Sequence, residues 1–466
     1  MTQPGTEACP LRVAIVGAGP TGFYAADHLL KHEGLVAEID LFDRLPTPFG
    51  LVRAGVAPDH QNIKAVTAAF DKVAAHPRFH FFGNVQFGRH VTVDDLRQHY
   101  HQIFYCTGAQ TDRRMGIPGE DLAGSHPATE FVAWYNGHPD YRDLRFDLSQ
   151  ERAAVVGVGN VAVDVARILC RTSEELAATD IADYALEALR KSRIREVCLL
   201  GRRGPAQAAF TTPEIKELGE LAGADIVVRP EEVALDDLSR AALERRPDRA
   251  TTKKVEILQG YGQRTPSGKP RTLTVRFLVS PVELIGNSAG EVAAMRLVRN
   301  TLEATATGAL QPKPKDEFEE LPVGLVFRSV GYRGVPLPGV PFNESRGVIL
   351  NEKGRVLDPA TTRPLVGEYT GGWIKRGPTG VIGTNKPDAA ETVACMVEDL
   401  AGGRTLAPAA PAAEAAERLI RERQPNCFSF QDWRSLNELE VSRGRAAGRP
   451  RVKFTRVEEM LGALGR

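Results

Sequence analysis

Apolar and polar positions along the chain spell out repeated strand–turn–helix units. Val13 to Val16 is a short unbroken apolar run, the pattern of a strand buried on both faces. Three glycines follow, and then Phe23, Ala26, Leu29 and Leu30 at the spacing of one helical face. A second strand is predicted over Glu38–Asp43, a helix over Gln61–Ala75, a strand over Phe79–Phe82 and an apolar strand over Ile103–Ala109. The grammar restarts at Ala153. A strand to Val156 leads into a glycine turn, a helix continues through Asp164 to Cys170, and the next strand is Glu196–Leu200. The long interval at 171–195 is predicted to be a helical insertion. Lys254–Leu258 and Arg271–Val279 flank a Gly/Pro-rich stretch and predict a hairpin. Leu325–Gly334 reads as a further strand and Asp388–Leu400 as a helix. A Pro/Ala linker near 406–412 precedes short helical patterns over 412–423 and 430–441, and an extended stretch with a last helix over 449–466. No chemistry is assigned to these last segments. Strands alternating with helices predict an α/β chain with parallel sheets.

The first turn reads Gly17-Ala-Gly-Pro-Thr-Gly22, a G-x-G-x-x-G set between a strand and a helix. Gly17 allows the tight turn, Gly19 lets backbone approach a pyrophosphate, and Gly22 lets helix and strand pack closely. Pro20 and Thr21 open the helix, whose N-terminal N–H groups and dipole favour phosphate. Asp43 closes the second strand. A carboxylate there accepts from a ribose 2′-hydroxyl and repels a 2′-phosphate, so this site suits FAD or NAD.

The second turn, Gly157-Val-Gly-Asn-Val-Ala162, replaces the third glycine by Ala162. Its following strand ends not in an acid but in Arg202-Arg203. Planar guanidinium groups pair with phosphate through two parallel hydrogen bonds, so this site suits NADP(H). Two coenzyme sites of opposite charge logic predict hydride chemistry between a nicotinamide and a flavin. The organisation predicted is two Rossmann-like, three-layer nucleotide-binding domains. The FAD-binding domain comprises 1–108 and 335–466, the latter carrying the C-terminal helical extension, and the NADP-binding domain, 109–334, is inserted in it.

Between Arg44 and His60 lies a Pro/Gly-rich loop. It is either a surface connection or a cover for the first cofactor, with Leu51 near its ring. Val85, just past a strand, is a candidate for backbone contact with adenine. The N–H groups of Gly380, Val381 and Ile382 precede a helix and could face the anionic edge of a reduced flavin. Trp373 either stacks on that ring or is a core aromatic. Arg240–Lys254 reads as a solvated, mixed-charge surface.

Composition narrows the alternatives. At 466 residues the chain exceeds one core, and its 42% hydrophobic and 25% charged residues are those of a globular protein. A formal net charge of +0 implies no general attraction to nucleic acid or membrane. Six cysteines, at 9, 106, 170, 198, 395 and 427, include no C-x-x-C. That spacing argues against a redox dithiol, a structural zinc and a cysteine-held iron–sulfur cluster, and no metal ligand set is predicted. The start of the chain lacks secretory or transit character, and no apolar run approaches the ~20 residues of a membrane span. A cytoplasmic protein with reduced thiols is expected.

Three longer strings carry a resemblance: 45–60 (Leu-Pro-Thr-Pro-Phe-Gly-Leu-Val-Arg-Ala-Gly-Val-Ala-Pro-Asp-His), 201–205 with 210–214 (Gly-Arg-Arg-Gly-Pro, Phe-Thr-Thr-Pro-Glu), and 372–386 (Gly-Trp-Ile-Lys-Arg-Gly-Pro-Thr-Gly-Val-Ile-Gly-Thr-Asn-Lys). The chain resembles the adrenodoxin reductase-like ferredoxin–NADP reductases over about residues 12–400. The resemblance implies bound FAD, touched by Thr21, Asp43, Leu51, Val85, Trp373 and Gly380 to Ile382. It implies NADPH as hydride donor, touched by Asn160, Val161, Ala162, Val163, Arg202, Arg203, Glu214 and Gly380. His60 and Glu217 match positions suspected of proton handling; His60 is alternatively a loop histidine satisfied by backbone. Asp43 stands where a glutamate is expected, which points to a ribose contact through water. The implied partner is a ferredoxin-type iron–sulfur protein reduced one electron at a time. If acidic, it would dock on basic surface at Arg240–Lys254 or at the Lys375/Arg376 loop. The oligomeric state stays open, with a monomer favoured.

Other classes fit less well. An NADPH:disulfide reductase needs a proximal dithiol. An electron-input subunit of a glutamate synthase-like complex carries an N-terminal cysteine-rich domain, whereas only Cys9 lies near this start. A general NADPH diaphorase or a nucleotide sensor without turnover is separated from a reductase by whether NADPH bleaches the flavin.

Overall fold

The structure is a computed structural model and describes residues 4–466. Its described residues divide into two units, one of 4–56, 60–111 and 332–466, the other of 57–59 and 112–331. The sequence expects cuts at 108/109 and 334/335; the structure cuts at 111/112 and 331/332. It also groups Ala57–Asp59 with the second unit, because the Asp59 carboxylate lies between Arg167 (Nε at 2.7 Å) and Arg171 (Nε at 2.6 Å).

The first unit is built on a seven-stranded sheet in the order Asn351–Glu352, Arg355–Leu357, Pro364–Thr370, Gln102–Tyr105, Leu11–Val16, Ala37–Phe42, Phe79–Phe82. The five strands from Pro364–Thr370 onward are parallel, and the first two add an antiparallel edge. Leu11–Val16 is buried along its whole length, as its unbroken apolar run predicts. Its successor in the chain lies on one side and Gln102–Tyr105 on the other. That reversal opens a crevice at the strand C-termini, where the first glycine turn sits. Helices Pro20–Leu30 and Asn385–Ala401 supply Phe23, Leu29, Ala389 and Met396 to the core beside this sheet. The last helices belong to the same core through Phe430, Trp433, Leu436 and Met460. The Pro/Ala linker is pinned rather than loose: Leu406 N–H donates to His101 O and Ala410 N–H to Gln98 O, both at 2.9 Å.

The second unit holds an all-parallel sheet in the order Ser125–Pro127, Leu325–Arg328, Arg152–Val156, Glu196–Leu200, Arg271–Arg276, Ala224–Val228. Its switch point is at Arg152–Val156, again under a glycine turn. A separate antiparallel sheet of Val279–Gly286, Val292–Ala304 and Leu310–Pro322 completes it. Both units are thus Rossmann-like α/β layers.

Three local expectations are corrected. Residues 249–262 form a helix, not a hairpin strand, because the Asp248 carboxylate caps its start and Val255, Leu258 and Tyr261 recur at helical spacing. Arg271–Arg276 pairs in parallel with its two neighbours instead. The Pro/Gly loop contains a short helix, Leu51–Ala54, started by Gly50 at φ 48°. The 61–75 helix is two, Gln61–Lys64 and Thr67–Ala74. The 171–195 insertion is helical, as expected, in Ser173–Ala177 and Asp183–Arg190.

Candidate functional site

In the first unit the glycine turn separates two kinds of need. A Cβ on Gly17 (φ 116°) would lie 2.6 Å from the Cys106 carbonyl oxygen, and one on Gly22 would lie 2.3 Å from the Gly17 oxygen. Those two glycines are required by the protein's own packing. A Cβ on Gly19 would meet no protein atom within 4 Å, so that glycine answers to something outside the fold. Around it the N–H groups of Gly19, Thr21 and Gly22 donate to no acceptor among the described residues. Three converging donors at a helix start fit a pyrophosphate.

Asp43 ties this turn to the strand beside it. Its Oδ2 accepts from Ala18 N–H and its Oδ1 from Leu45 N–H, both at 2.9 Å. Burial pushes the carboxyl up from its ordinary range, and the two backbone donors pull it partly back. Each oxygen keeps a lone pair for a hydroxyl or water. The Asp43 carbonyl takes the Val85 N–H at 2.8 Å, which leaves only the Val85 carbonyl for a base. The Pro/Gly loop folds onto the turn, since Phe49 N–H donates to Ala18 O at 2.8 Å and a Cβ on Gly50 would lie 3.1 Å from Gly19 Cα. Leu51, first in its helix, is 44% exposed.

The 372–385 segment meets the same turn. Gly371 and Gly372 pack so closely on the Thr21 side chain that a Cβ on Gly372 would lie 2.4 Å from Thr21 Oγ1. Trp373 is half-buried, with Nε1 donating to Thr379 O at 3.1 Å and its ring 5.5 Å from that of Tyr332. Gly380, Val381 and Ile382 offer consecutive N–H groups with no acceptor among the described residues, just ahead of the 17-residue helix Asn385–Ala401. Lys375 is not surface for docking. It is buried, with Nζ 2.5 Å from Glu391 and 3.1 Å from Asp388, because the segment needs an internal cation where Gly372 N–H and Lys375 share the Asp388 carboxylate. Lys254 is likewise buried, its Nζ donating to Ala208 O. The rest of Arg240–Lys253 is largely exposed.

The second unit repeats the arrangement. A Cβ on Gly157 (φ 134°) would lie 2.2 Å from Ser329 O, whereas one on Gly159 would meet nothing within 4 Å. The N–H groups of Gly159, Asn160, Val161 and Ala162 have no acceptor among the described residues. Asn160 Oδ1 accepts Thr211 N–H at 2.9 Å and pins the turn. Val163 is set back. Its side chain is buried and its N–H donates to Gly159 O, so it supports the turn rather than facing a ligand. Arg202 is exposed and Arg203 half-buried, and neither has a carboxylate partner among the described residues. Burial, and then the neighbouring Arg202 charge, lowers the Arg203 pKa. Two uncompensated like charges side by side fit a dianion.

Glu214 is buried and committed to Arg167, whose Nη1 is 3.1 Å away. Arg167 itself is 0% exposed and also holds Asp59 and Asp164. In the sequence the one signal of this centre is the i, i+3 spacing of Asp164 and Arg167 on a single helix. Glu217 keeps a side chain 40% exposed, 3.7 Å from Arg167. His60 is buried at the head of Gln61–Lys64 in the first unit, while Glu217 belongs to the second.

Comparison with known proteins agrees with this geometry. The family model for pyridine nucleotide-disulphide oxidoreductases matches residues 11–199. The NADPH-ferredoxin reductase FprA of Mycobacterium tuberculosis is 46% identical, over 97% of this chain and 98% of that one. The mitochondrial NADPH:adrenodoxin oxidoreductase of Arabidopsis thaliana is 41% identical, over 97% and 95%. A solved structure of Mycobacterium tuberculosis FprA in complex with NADPH superposes with a TM-score of 0.92 at 45% identity, covering 98% of this chain and all of that one. With two such turns, one backed by a carboxylate and the other by paired guanidiniums, and with identity at this level across almost the full length, the chain belongs to the ferredoxin–NADP reductase family that includes FprA and the adrenodoxin oxidoreductases.

Proposed function

We propose that this chain is an FAD-containing, NADPH-dependent reductase of a ferredoxin-type iron–sulfur protein. The observation that carries the reading is the charge contrast between the two turns, Asp43 at one and Arg202 with Arg203 at the other. The first unit is the FAD-binding domain. Gly19, Thr21 and Gly22 would hold the pyrophosphate through N–H groups, Asp43 would take the ribose, and Leu51, Trp373 and the N–H groups at 380–382 would hold the flavin ring. The second unit is the NADP-binding domain. Gly159 to Ala162 hold its pyrophosphate and the arginine pair holds the 2′-phosphate. When bound, FAD supplies acceptance of a hydride and release of single electrons. The chain's part is to orient, to shield, and to set the field with donors fixed before the reaction begins.

His60 and Glu217 are the residues proposed to handle a proton, on the family resemblance. The exposed part of Arg240–Lys253 is the basic surface left for an acidic partner once Lys375 and Lys254 are seen to be internal. The proposed location is the cytoplasm, which its free cysteines suit, and the oligomeric state stays open with a monomer favoured. No described helix is long and apolar enough to cross a membrane. The test is a stopped-flow mixing of NADPH with the purified yellow protein, followed by cytochrome c reduction with and without a candidate ferredoxin. Rapid bleaching and ferredoxin-dependent reduction are expected. Binding of NADPH without bleaching would reduce the protein to a sensor.

A further inference from the structure

The turn that carries Arg202 and Arg203 is held both by the sheet that generates it and from outside that sheet. Gly201 N–H donates to Arg276 O at 2.9 Å, and Gly201 O accepts Val279 N–H at 3.1 Å. The next two carbonyls are each taken by a donor from the antiparallel region, Arg202 O by Asn300 Nδ2 at 2.9 Å and Arg203 O by Leu278 N–H at 3.2 Å. The two donors are themselves linked, since Asn300 N–H donates to Leu278 O at 2.7 Å. Backbone on both sides of the arginine pair is therefore locked to one point, near where the strand Val292–Ala304 slips its register at Val298/Asn300.

Two costs are accepted to build that lock. Leu278 sits at φ +56°, a left-handed conformation that a leucine disfavours. Asn300 is only 4% exposed; its amide gives both donors away, to Arg202 O and to Ser280 Oγ at 2.8 Å, while its buried Oδ1 has no partner. An apolar residue would pack there without stranding an acceptor. A local rule broken next to a candidate site is the kind of departure that function maintains.

We propose that Asn300 is a specificity-determining positioning residue. By fixing the Arg202 carbonyl it aims the arginine pair at the 2′-phosphate and so sets the preference for NADPH over NADH. The inference rests on the reading of Arg202 and Arg203 as the 2′-phosphate site. The separate antiparallel sheet thereby gains a role, as the brace of the discriminating turn.

The test compares adenosine 2′,5′-bisphosphate with adenosine 5′-monophosphate by calorimetric titration of the holoenzyme, together with KM for NADPH and NADH. Asn300→Leu is expected to weaken the bisphosphate by roughly three- to tenfold, the worth of one net hydrogen bond. The monophosphate, the KM for NADH, kcat and the flavin spectrum should stay as in the wild type. Ser280→Ala, which removes the amide's other partner, should keep the preference. Should Asn300→Leu not purify folded, Asn300→Ser, too short to reach the carbonyl, carries the same expectation. Unchanged bisphosphate affinity, or equal losses for both ligands, overturns the inference. If instead the wild type itself does not prefer the bisphosphate, or Arg202→Ala leaves that preference intact, the 2′-phosphate assignment is what fails.

Discussion

Replacing both Arg202 and Arg203 by alanine should convert an NADPH-preferring protein into one nearly indifferent to the 2′-phosphate. Each guanidinium offers a charge-assisted hydrogen bond worth about 1.5–3 kcal/mol. Arg203 is half-buried and Arg202 exposed, so the screened contribution of Arg202 belongs at the lower end and that of Arg203 higher. The sum of roughly 3–4 kcal/mol corresponds to a factor of about 150 to 1,000 in affinity for NADPH. NADH, which lacks the phosphate, should change by less than about threefold. The assay is the steady-state KM for both coenzymes with a fixed acceptor, paired with titration at two salt concentrations. Losing two positive groups should also flatten the salt dependence of NADPH binding. Acidity gives a second handle. A phosphate monoester loses its second charge below a pKa of about 6, so the wild-type preference should fall as pH drops through that value and the double variant should show no such step. A rise in KM of equal size for NADPH and NADH would mean that the arginines shape the pocket rather than read the phosphate, and the argument would be wrong.

Gly19→Ala and Gly17→Ala should fail differently. The first adds a methyl that touches no protein atom, so thermal stability should hold while FAD is lost, read as the ratio of yellow to protein absorbance. The second forces a side chain onto the Cys106 carbonyl at φ 116° and should lower the Tm by several degrees before cofactor enters the question. Asp43→Ala should purify partly or wholly colourless, and full retention of yellow colour would remove its ribose role. Glu440→Gln breaks a buried pair with Arg53, whose two nitrogens lie 2.6 and 2.8 Å from the carboxylate, and should cost about 3–5 kcal/mol in denaturant unfolding. Burial pushes the Glu440 carboxyl up, but Arg53, Arg451 and the Phe454 N–H carry it below its ordinary value of 4.5. Its contribution is therefore complete above pH 4.5 and is lost as pH falls below it, so the wild type but not the variant should lose this increment on acidification.

What could be read from the chain, and what could not, follows from how local each requirement is. Gly17, Gly157 and the helices they open need only the residues beside them, and the backbone conformations the motif demands are the ones observed. Lys254 to Leu258 shows why short apolar segments mislead. Seen alone it alternates like a strand; the cap that makes it helical, Asp248, lies outside that window. The Lys375/Arg376 loop looks basic because sequence shows charge but not pairing, and the acids that neutralise Lys375 sit 13 and 16 residues on. The farthest dependencies left no trace at all. Arg53 and Glu440 are 387 positions apart, and Arg202 and Asn300 98 apart. Yet both act on segments the motifs had already marked. Glu440 grips the helix that begins at Leu51, and Asn300 grips the turn that ends at Arg203. The residues that touch a coenzyme are thus announced by short patterns, whereas the residues that hold them still are supplied by distant parts of the chain through one buried amide or carboxylate each. That division predicts where tuning of such a protein should occur. Substitution of the gripping amide at Asn300 would shift coenzyme preference by up to about tenfold, while a side chain at Gly19 or Gly159, which meets no protein atom, would remove binding outright.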